Sequence, residues 1–464
     1  MSETIEEPIV PQRRRAALSL SEKRLTGDIF RLALPAAGEN LLLAMLMLAD
    51  LIMVGHYMGS VGLSSVGFGA AMSFVVMILT LPLPIATNAI IARHIGARQM
   101  ERARRACGQA MLVAVVLGAA MSVTLTVLTQ DILWAMGLGG DVYRFAVLYL
   151  KWIYASFVFR FLLLNAGAVM KGAGNTRTPM IVGGAANLLN IILDYGLIFG
   201  KFGLPELGIE GAAIATAVSL ALGSLVMCVM LFTDYSVVHM RWRHLKGWSW
   251  KMFRTLVRIA SPSMGEQALL QLGFVAYLRI VSELGREALA AHFIGVRIEA
   301  FSFLPGLGFG VAAATLVGQG LGARKPVFAA RSMKKCAFYG CLLMGLVGVL
   351  MFIFRYQVAV VFNPEPEVLN LAASCLLIGA VSQVPLALCL ILSGGLRGAG
   401  DTLSTMIVAF AGVIAVRVPL GYLLALKWGM GLQGIWWAST ADWTIRSIVV
   451  MILISRGRWR RIKV

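Results

Sequence analysis

LPAAGENLLLAMLMLADLIMVG, residues 34–55, is an apolar run long enough to cross a bilayer, yet it carries two acids, Glu39 and Asp50, and a proline, Pro35. About 20 such residues span the hydrocarbon core, and a charged side chain at that depth costs roughly 2.5 to 3.5 kcal/mol or more. Acids that survive there face a cavity or meet a partner. A buried hydrogen bond would be the plain explanation for each, and an ion or substrate site the alternative.

The chain has 464 residues, 59% hydrophobic and 14% charged, with a mean hydropathy of +0.82. Soluble domains carry roughly 25% charged residues, so this is an integral membrane protein. Its net charge of +19 would suit nucleic acid in a soluble protein, but the basic residues are sorted by side of the membrane. Of the 41 Lys and Arg, 30 fall in seven segments: 13–31, 93–105, 171–177, 241–258, 324–335, Arg397 and 456–463. The opposite side receives five, namely Arg144, Lys201, Arg286, Arg355 and Lys427. This bias places both termini in the cytoplasm of a cell (inner) membrane protein and removes the need for a nucleic-acid partner. The six cysteines avoid the outward loops and have no metal spacing, so neither a disulfide nor a metal site is expected. The polar amino terminus, with Arg13, Arg14 and Arg15, does not read as a cleaved signal peptide.

Twelve apolar spans follow one another, at about 32–56, 66–92, 107–129, 142–167, 178–199, 209–232, 256–283, 289–317, 336–354, 368–393, 404–426 and 432–454. An internal repeat of about 226 residues runs through them. LPAAGEN at 34–40 matches ASPSMGEQ at 260–267, IGAR at 95–98 matches LGAR at 321–324, and MKGAGNTRTPM at 170–180 matches LRGAGDTLSTM at 396–406. Each copy holds an even number of spans, so the copies share one orientation about an axis along the membrane normal. The expected fold is all-α, twelve transmembrane helices in two pseudo-symmetric six-helix lobes with the site between or within them. The divisions are a disordered or surface segment 1–24 with a short amphipathic helix from Ser19, an amino-terminal lobe 25–233, a basic linker 234–255 and a carboxy-terminal lobe 256–464. Trp242, Trp248 and Trp250 in the linker suit the membrane interface.

The turns KGAGNT and RGAGDT are glycine-rich but lack the GxxxxGK[ST] pattern and follow no strand, so they are not phosphate loops. Left-handed backbone at Gly172, Gly174, Gly398 and Gly400, with Asn175 and Asp401 capping the next helix, explains them better. Together with PxxxENxxxxxxxxxAD at 35–50 and LAAHFIGVRIEAFSFLPGLGFGVAAATLVGQGLGA at 289–323, they resemble the multidrug and toxic compound extrusion (MATE) family of secondary transporters. The resemblance spans about residues 25–455. It implies two lobes around a V-shaped cavity and efflux of organic cations in exchange for H⁺ or Na⁺, with no cofactor.

Within the family the chain resembles the DinF-like branch, whose ion site matches Asp50, Asn190 and Asp194 here. The residues support this independently. Asn190 and Asp194 are spaced i, i+4 and share a helix face. Asp50 and Asp194 lie about 18 and 16 residues from the cytoplasmic ends of their spans, similar depths of roughly 27 and 24 Å. Two such acids disfavour each other's charge, so they should share a proton and titrate as one unit. In the second half the same positions are Tyr277 and Leu420, which confines the pair to the amino-terminal lobe. Thr216 resembles a further polar member of this network. Glu39 and Glu266 recur in both copies, each one turn after a proline, and read as architectural, with a cavity or substrate role as the alternative. A Na⁺-binding branch of the family places an acid in span seven where this chain has Leu270 and Gln271.

The remaining buried charges read as structural. Asp442 and Arg446 are i, i+4 and should neutralise each other. Arg297 and Glu299 lie on different faces and need partners elsewhere, Arg417 has no visible partner, and His292 reads as a packing residue. The expected function is proton-coupled, or alternatively Na⁺-coupled, export of organic cations or amphipathic drugs by a monomer in lipid. A lipid-linked oligosaccharide or lipid flippase is the second reading and would require Arg160, Arg297 and Arg417 to share a cavity. A membrane-embedded enzyme would need a catalytic constellation, and no HExxH or GxSxG is present.

Overall fold

Helices make up every regular element of the computed structural model, which describes residues 20–462 apart from 136, 138 and 363, without the side chains of 51, 55, 58–77 and 135. In chain order they are α1 Leu25–Thr80, α2 Pro82–Gly96, α3 Met100–Ala135, α4 Gly140–Ala155, α5 Phe157–Gly172, α6 Arg177–Phe199, α7 Ile209–Phe232 and α8 Trp250–Ser282. There follow α9 Arg286–Ser302, α10 Leu304–Gly322, α11 Pro326–Ile353, α12 Arg355–Val360, α13 Pro366–Gly398, α14 Thr402–Ala409, α15 Val418–Tyr422 and α16 Gly431–Ser455. Two π-helical stretches, Phe410–Arg417 and Leu423–Lys427, flank α15. Of the expected segment 1–24 only 20–24 are described, as a turn rather than the helix expected from Ser19, and Glu22 there pairs with Arg331 of α11.

Among the described residues ten helices are long and apolar enough to cross a bilayer, and eleven when α4 and α5 count as one bent crossing. The twelfth is α8. It carries Arg254, Arg258, Glu266 and Arg279, so it is less apolar than its neighbours, but the repeat puts it in the place of α1. Several expected boundaries differ, and span two is broken at Leu81, just before Pro82. Helical hydrogen bonding runs through 57–65 within α1, where a turn was expected. Span four is broken at Ser156, with a 44° bend between α4 and α5. The cause is a side chain from another helix: the Ser122 hydroxyl of α3 donates to the carbonyls of Tyr154 and Ala155 and accepts from the Val158 amide. Such an insertion into the backbone ladder bends a helix without proline. Span eight is likewise broken at Phe303, between α9 and α10, just before Pro305.

The repeat is visible as paired contacts. A Cβ on Gly96 would stand 2.0 Å from the Gln319 carbonyl oxygen, and one on Gly322 would stand 2.1 Å from that of Arg93. Residues 96 and 322, like 93 and 319, are repeat mates, so α2 and α10 cross backbone to backbone across the axis relating the lobes. Gly38 lies under the Met180 sulfur and Gly265 under that of Met406, a second symmetric pair. The Arg93 guanidinium donates to the Ile462 carbonyl, which brings the last described residue to the same face as residues 20–24 and the other basic helix ends.

Candidate functional site

α6 starts from the capped turn after Gly174 and runs into the amino-terminal lobe, so the i, i+4 spacing of Asn190 and Asp194 points both side chains at one neighbour, α1. The Asn190 amide donates to Asp194 Oδ2 at 3.2 Å. The Asp50 carboxyl of α1 meets the Asp194 carboxyl within hydrogen-bonding contact. Asn190 and Asp194 are buried at 1% exposure, and Asp50 is half-buried. Two carboxyl groups in contact require a proton or a cation between them. Oδ1 of Asp50 and Oδ1 of Asp194 are both buried and neither receives a hydrogen bond from a protein donor. Buried acceptors are normally satisfied, and a proton shared by the two carboxyls, or a hard cation that takes oxygen ligands, would satisfy them.

Two residues the sequence reading missed belong beside this pair. Tyr149 of α4 lies in the electrostatic field of Asp50, Asp194 and Arg160, and Arg160 of α5 faces Tyr149. Nothing in the pattern of an apolar helix separates Tyr149 from a packing aromatic, whereas Arg160 entered the sequence reading only as one of the arginines a flippase would gather. Thr216 is not joined to the acids by a described hydrogen bond. Its hydroxyl donates to the Ala212 carbonyl of its own helix at 3.0 Å. Among the described residues no three His, Cys, Asp or Glu side chains converge as a metal site.

Glu39, Glu266 and Pro35 belong to a different structure, the junction built by the glycine turns. Pro35 lacks an N–H, which frees the carbonyl of Arg31 one turn back, and the Thr176 hydroxyl donates to it at 3.3 Å. In the second half, one turn before Pro262, Thr402 donates to the Ile259 carbonyl at 2.8 Å. Lys171 pairs with Glu39 at 2.9 Å, and Arg397 pairs with Glu266. Gly174 and Gly400 take the left-handed backbone, at φ of +86° and +83°. Gly172 and Gly398 do not, contrary to expectation. They end their helices against the carbonyls of Asn88 and Ala314, where a Cβ would collide. Asn175 accepts from the Thr178 amide and Asp401 from the Ser404 amide, as the capping reading expects. The two copies differ in one respect. Glu266 is buried with both oxygens engaged, the second by Thr405 at 2.7 Å, while Glu39 is half-exposed and its Oε2 has no partner.

Comparison with known proteins follows the same symmetry. The MatE family model matches twice, over residues 35–196 and 262–423, and each match begins at a proline inside a helix, Pro35 or Pro262. The chain belongs to the MATE family of transporters. It is 32% identical over 440 residues to the probable multidrug resistance protein NorM of Thermotoga maritima, covering 94% of this chain and 93% of that protein. It is 27% identical over 448 residues to the multidrug resistance protein PmpM of Pseudomonas aeruginosa, covering 94% and 92%. The fold is shared with a crystal structure of MATE in complex with MaL6, at a TM-score of 0.88 and 22% identity over 94% of this chain and 96% of that one.

The carboxy-terminal lobe of this MATE protein is built differently where the amino-terminal lobe holds its acids. Asp442 is bound by Arg446 at 2.6 and 2.8 Å, the expected i, i+4 pair, and also by Arg417 at 3.0 Å. Arg417 therefore has the partner that the sequence did not reveal. It also reaches Ser439 at 2.6 Å and lies over the Tyr277 and Trp443 rings. Tyr277, the repeat mate of Asp50, donates its hydroxyl to the Ile435 carbonyl, and Asp442 is the repeat mate of Thr216. Glu299 shares the field of Arg417, whereas Arg297 is exposed. His292 is packed among Tyr277, Phe293 and Trp436. Asp442, Arg417 and Arg446 neutralise one another within this lobe, and Arg160 and Arg417 stand in different lobes with different neighbours.

Proposed function

We propose that this multi-pass MATE transporter is a monomer that exports amphipathic, often cationic organic compounds from the cytoplasm in exchange for H⁺ or Na⁺, by alternating access. The supporting observation is the contact of Asp50 with Asp194, braced by Asn190, with one buried oxygen of each acid receiving no protein donor. A site of this kind alternates between two states. With an ion bound its charge is cancelled, and without one it presents net negative charge to the amino-lobe cavity and attracts an organic cation. Ion entry from outside releases drug, and ion loss to the cytoplasm restores the attraction. Pro35, between the Glu39 junction and the cytoplasmic end of α1, is the point where α1 would bend as the hydrogen bonds of Asp50 change.

The names of the NorM and PmpM relatives agree with multidrug export, and the amino-lobe triad favours the DinF-like branch. The lobe limits 25–233 and 256–464, the linker 234–255, a cytoplasmic location for both termini and residence in the inner membrane complete the proposal. The flippase reading would rest on arginines gathered for a lipid phosphate, and the capture of Arg417 by Asp442 favours drug export instead. The test is efflux of a cationic dye from vesicles under an imposed proton gradient. Asp50→Asn and Asp194→Asn should each lose the response to the gradient, and gradient-driven efflux equal to wild type in both variants overturns the assignment.

A further inference from the structure

One cavity, of about 830 Å³, lies away from the acid pair, on the basic face of the molecule. Its walls are the end of α2 at Ile90 and His94, the first turns of α3, the linker around Arg243 to Ser249, and the first turns of α8 at Lys251, Met252 and Thr255. The linker is held rather than draped. Its Ser249 exchanges two hydrogen bonds with the Gln109 side chain, at 2.9 and 3.3 Å, and Arg104 donates to the Val238 carbonyl at 3.0 Å. The His244 carbonyl lies so close to Gly108 that no other side chain fits there. The cavity is thus preformed, and it joins elements of both halves of the repeat.

Its charge is unbalanced. Among the described residues Glu101 is its single acid and is shared by Arg105 and Arg243 at 3.6 Å, His244 at 3.2 Å and Arg104 at 3.8 Å. Arg102 and Lys251 also line the space, both exposed, and neither has a carboxylate within ion-pair distance among the described residues. One carboxylate cannot neutralise four lining cations, so the cavity carries an excess of positive charge, with Arg102 donating to the Gln99 amide oxygen at 3.1 Å rather than to a carboxylate. Trp248 on its rim is 53% exposed and Trp250 beside it is 55% exposed. Exposed tryptophans next to basic side chains mark the depth of lipid headgroups, and basic pockets there take headgroup phosphates.

We propose that this cavity binds a phosphate-bearing group, the headgroup of an acidic phospholipid, and that the bound headgroup ties α2 and α3 of the amino-terminal lobe to α8 of the carboxy-terminal lobe. The phosphate oxygens accept from Arg102, Arg105, Arg243 and Lys251, and the acyl chains leave past Trp248. Occupancy would then adjust the ease with which the lobes move relative to each other.

The test uses the full-length protein in neutral detergent, with bound lipid measured by native mass spectrometry against short-chain phosphatidylglycerol, phosphatidylcholine and inorganic phosphate. Wild type should hold phosphatidylglycerol over phosphatidylcholine. The double variant Arg102→Gln, Lys251→Gln should lose about 25-fold in affinity, at ~5-fold per basic side chain near an anionic surface. The pair Arg241→Gln, Lys246→Gln removes the same charge outside the cavity lining and should retain wild-type binding. Equal losses in the two pairs, or no loss in the first, overturn the site. Displacement of the lipid by millimolar inorganic phosphate overturns the lipid assignment in favour of a soluble phosphate.

Discussion

Removing the basic partner of each repeated glutamate should have unequal effects in the two halves. In Arg397→Ala, Glu266 keeps only the Thr405 hydrogen bond while remaining 4% exposed. Stripping one member from a buried ion pair costs roughly 3 to 5 kcal/mol. The surviving Thr405 bond and the 25% exposure of Arg397 place this case at the lower end, about 3 kcal/mol. In Lys171→Ala the pair is more open, at 21% and 26% exposure, so water replaces the lost ammonium at about 0.5 to 1 kcal/mol. Two substitutions related by the repeat should therefore differ by about 2 kcal/mol. Adding Glu266→Gln to Arg397→Ala removes the stranded charge and should recover much of the loss, whereas Glu39→Gln in the Lys171→Ala background should change little. The assay is unfolding in mixed micelles with rising dodecyl sulfate, followed by labelling of the buried Cys336 and Cys389 thiols. Equal destabilisation by the two single substitutions, or no recovery in the Glu266→Gln double variant, refutes the reasoning.

Gly96→Ala and Gly322→Ala each drive a methyl into the facing carbonyl of the α2 and α10 crossing. Each should cost about 1 to 3 kcal/mol of stability in the same unfolding assay, and a silent result at both positions contradicts the crossing. Burial lowers the basicity of His244 below the ordinary imidazole value of 6.5, against the opposing pull of Glu101 and with help from Arg243. The unfolded chain thus binds the proton more readily, so stability is complete above about pH 6.5 and is lost as pH falls below it. Thermal midpoints measured from about pH 5 to pH 8 should rise more steeply in wild type than in His244→Gln, and parallel curves contradict the assignment.

The parts of this structure that are legible in the sequence are those written in local spacing or in repetition. Duplication fixes two lobes, and i, i+4 spacing puts Asn190 beside Asp194. The capping roles of Asn175 and Asp401 follow from their places after a glycine turn. What escapes is set by contacts between distant helices. The bend at Ser156 comes from Ser122, far away in sequence, with no proline or glycine to announce it. Arg417 finds Asp442 across two helices, and the π-helical turn that ends at Arg417 leaves no periodic signature. The proline junction was half legible: Lys171 and Arg397 recur with Glu39 and Glu266, but only the fold shows that they meet. Tyr149 could not be told from any aromatic in an apolar helix until its neighbours were placed.

Ion movement accompanying export bears most directly on the role given to Asp50 and Asp194. In liposomes containing purified protein, a lumenal pH dye and a sodium-sensitive dye report ion flux as a cationic substrate is moved. Wild type should carry H⁺ or Na⁺ opposite to the substrate, and Asp194→Asn should move no ion with it. Substrate-coupled ion flux in Asp194→Asn equal to that of wild type would contradict the account.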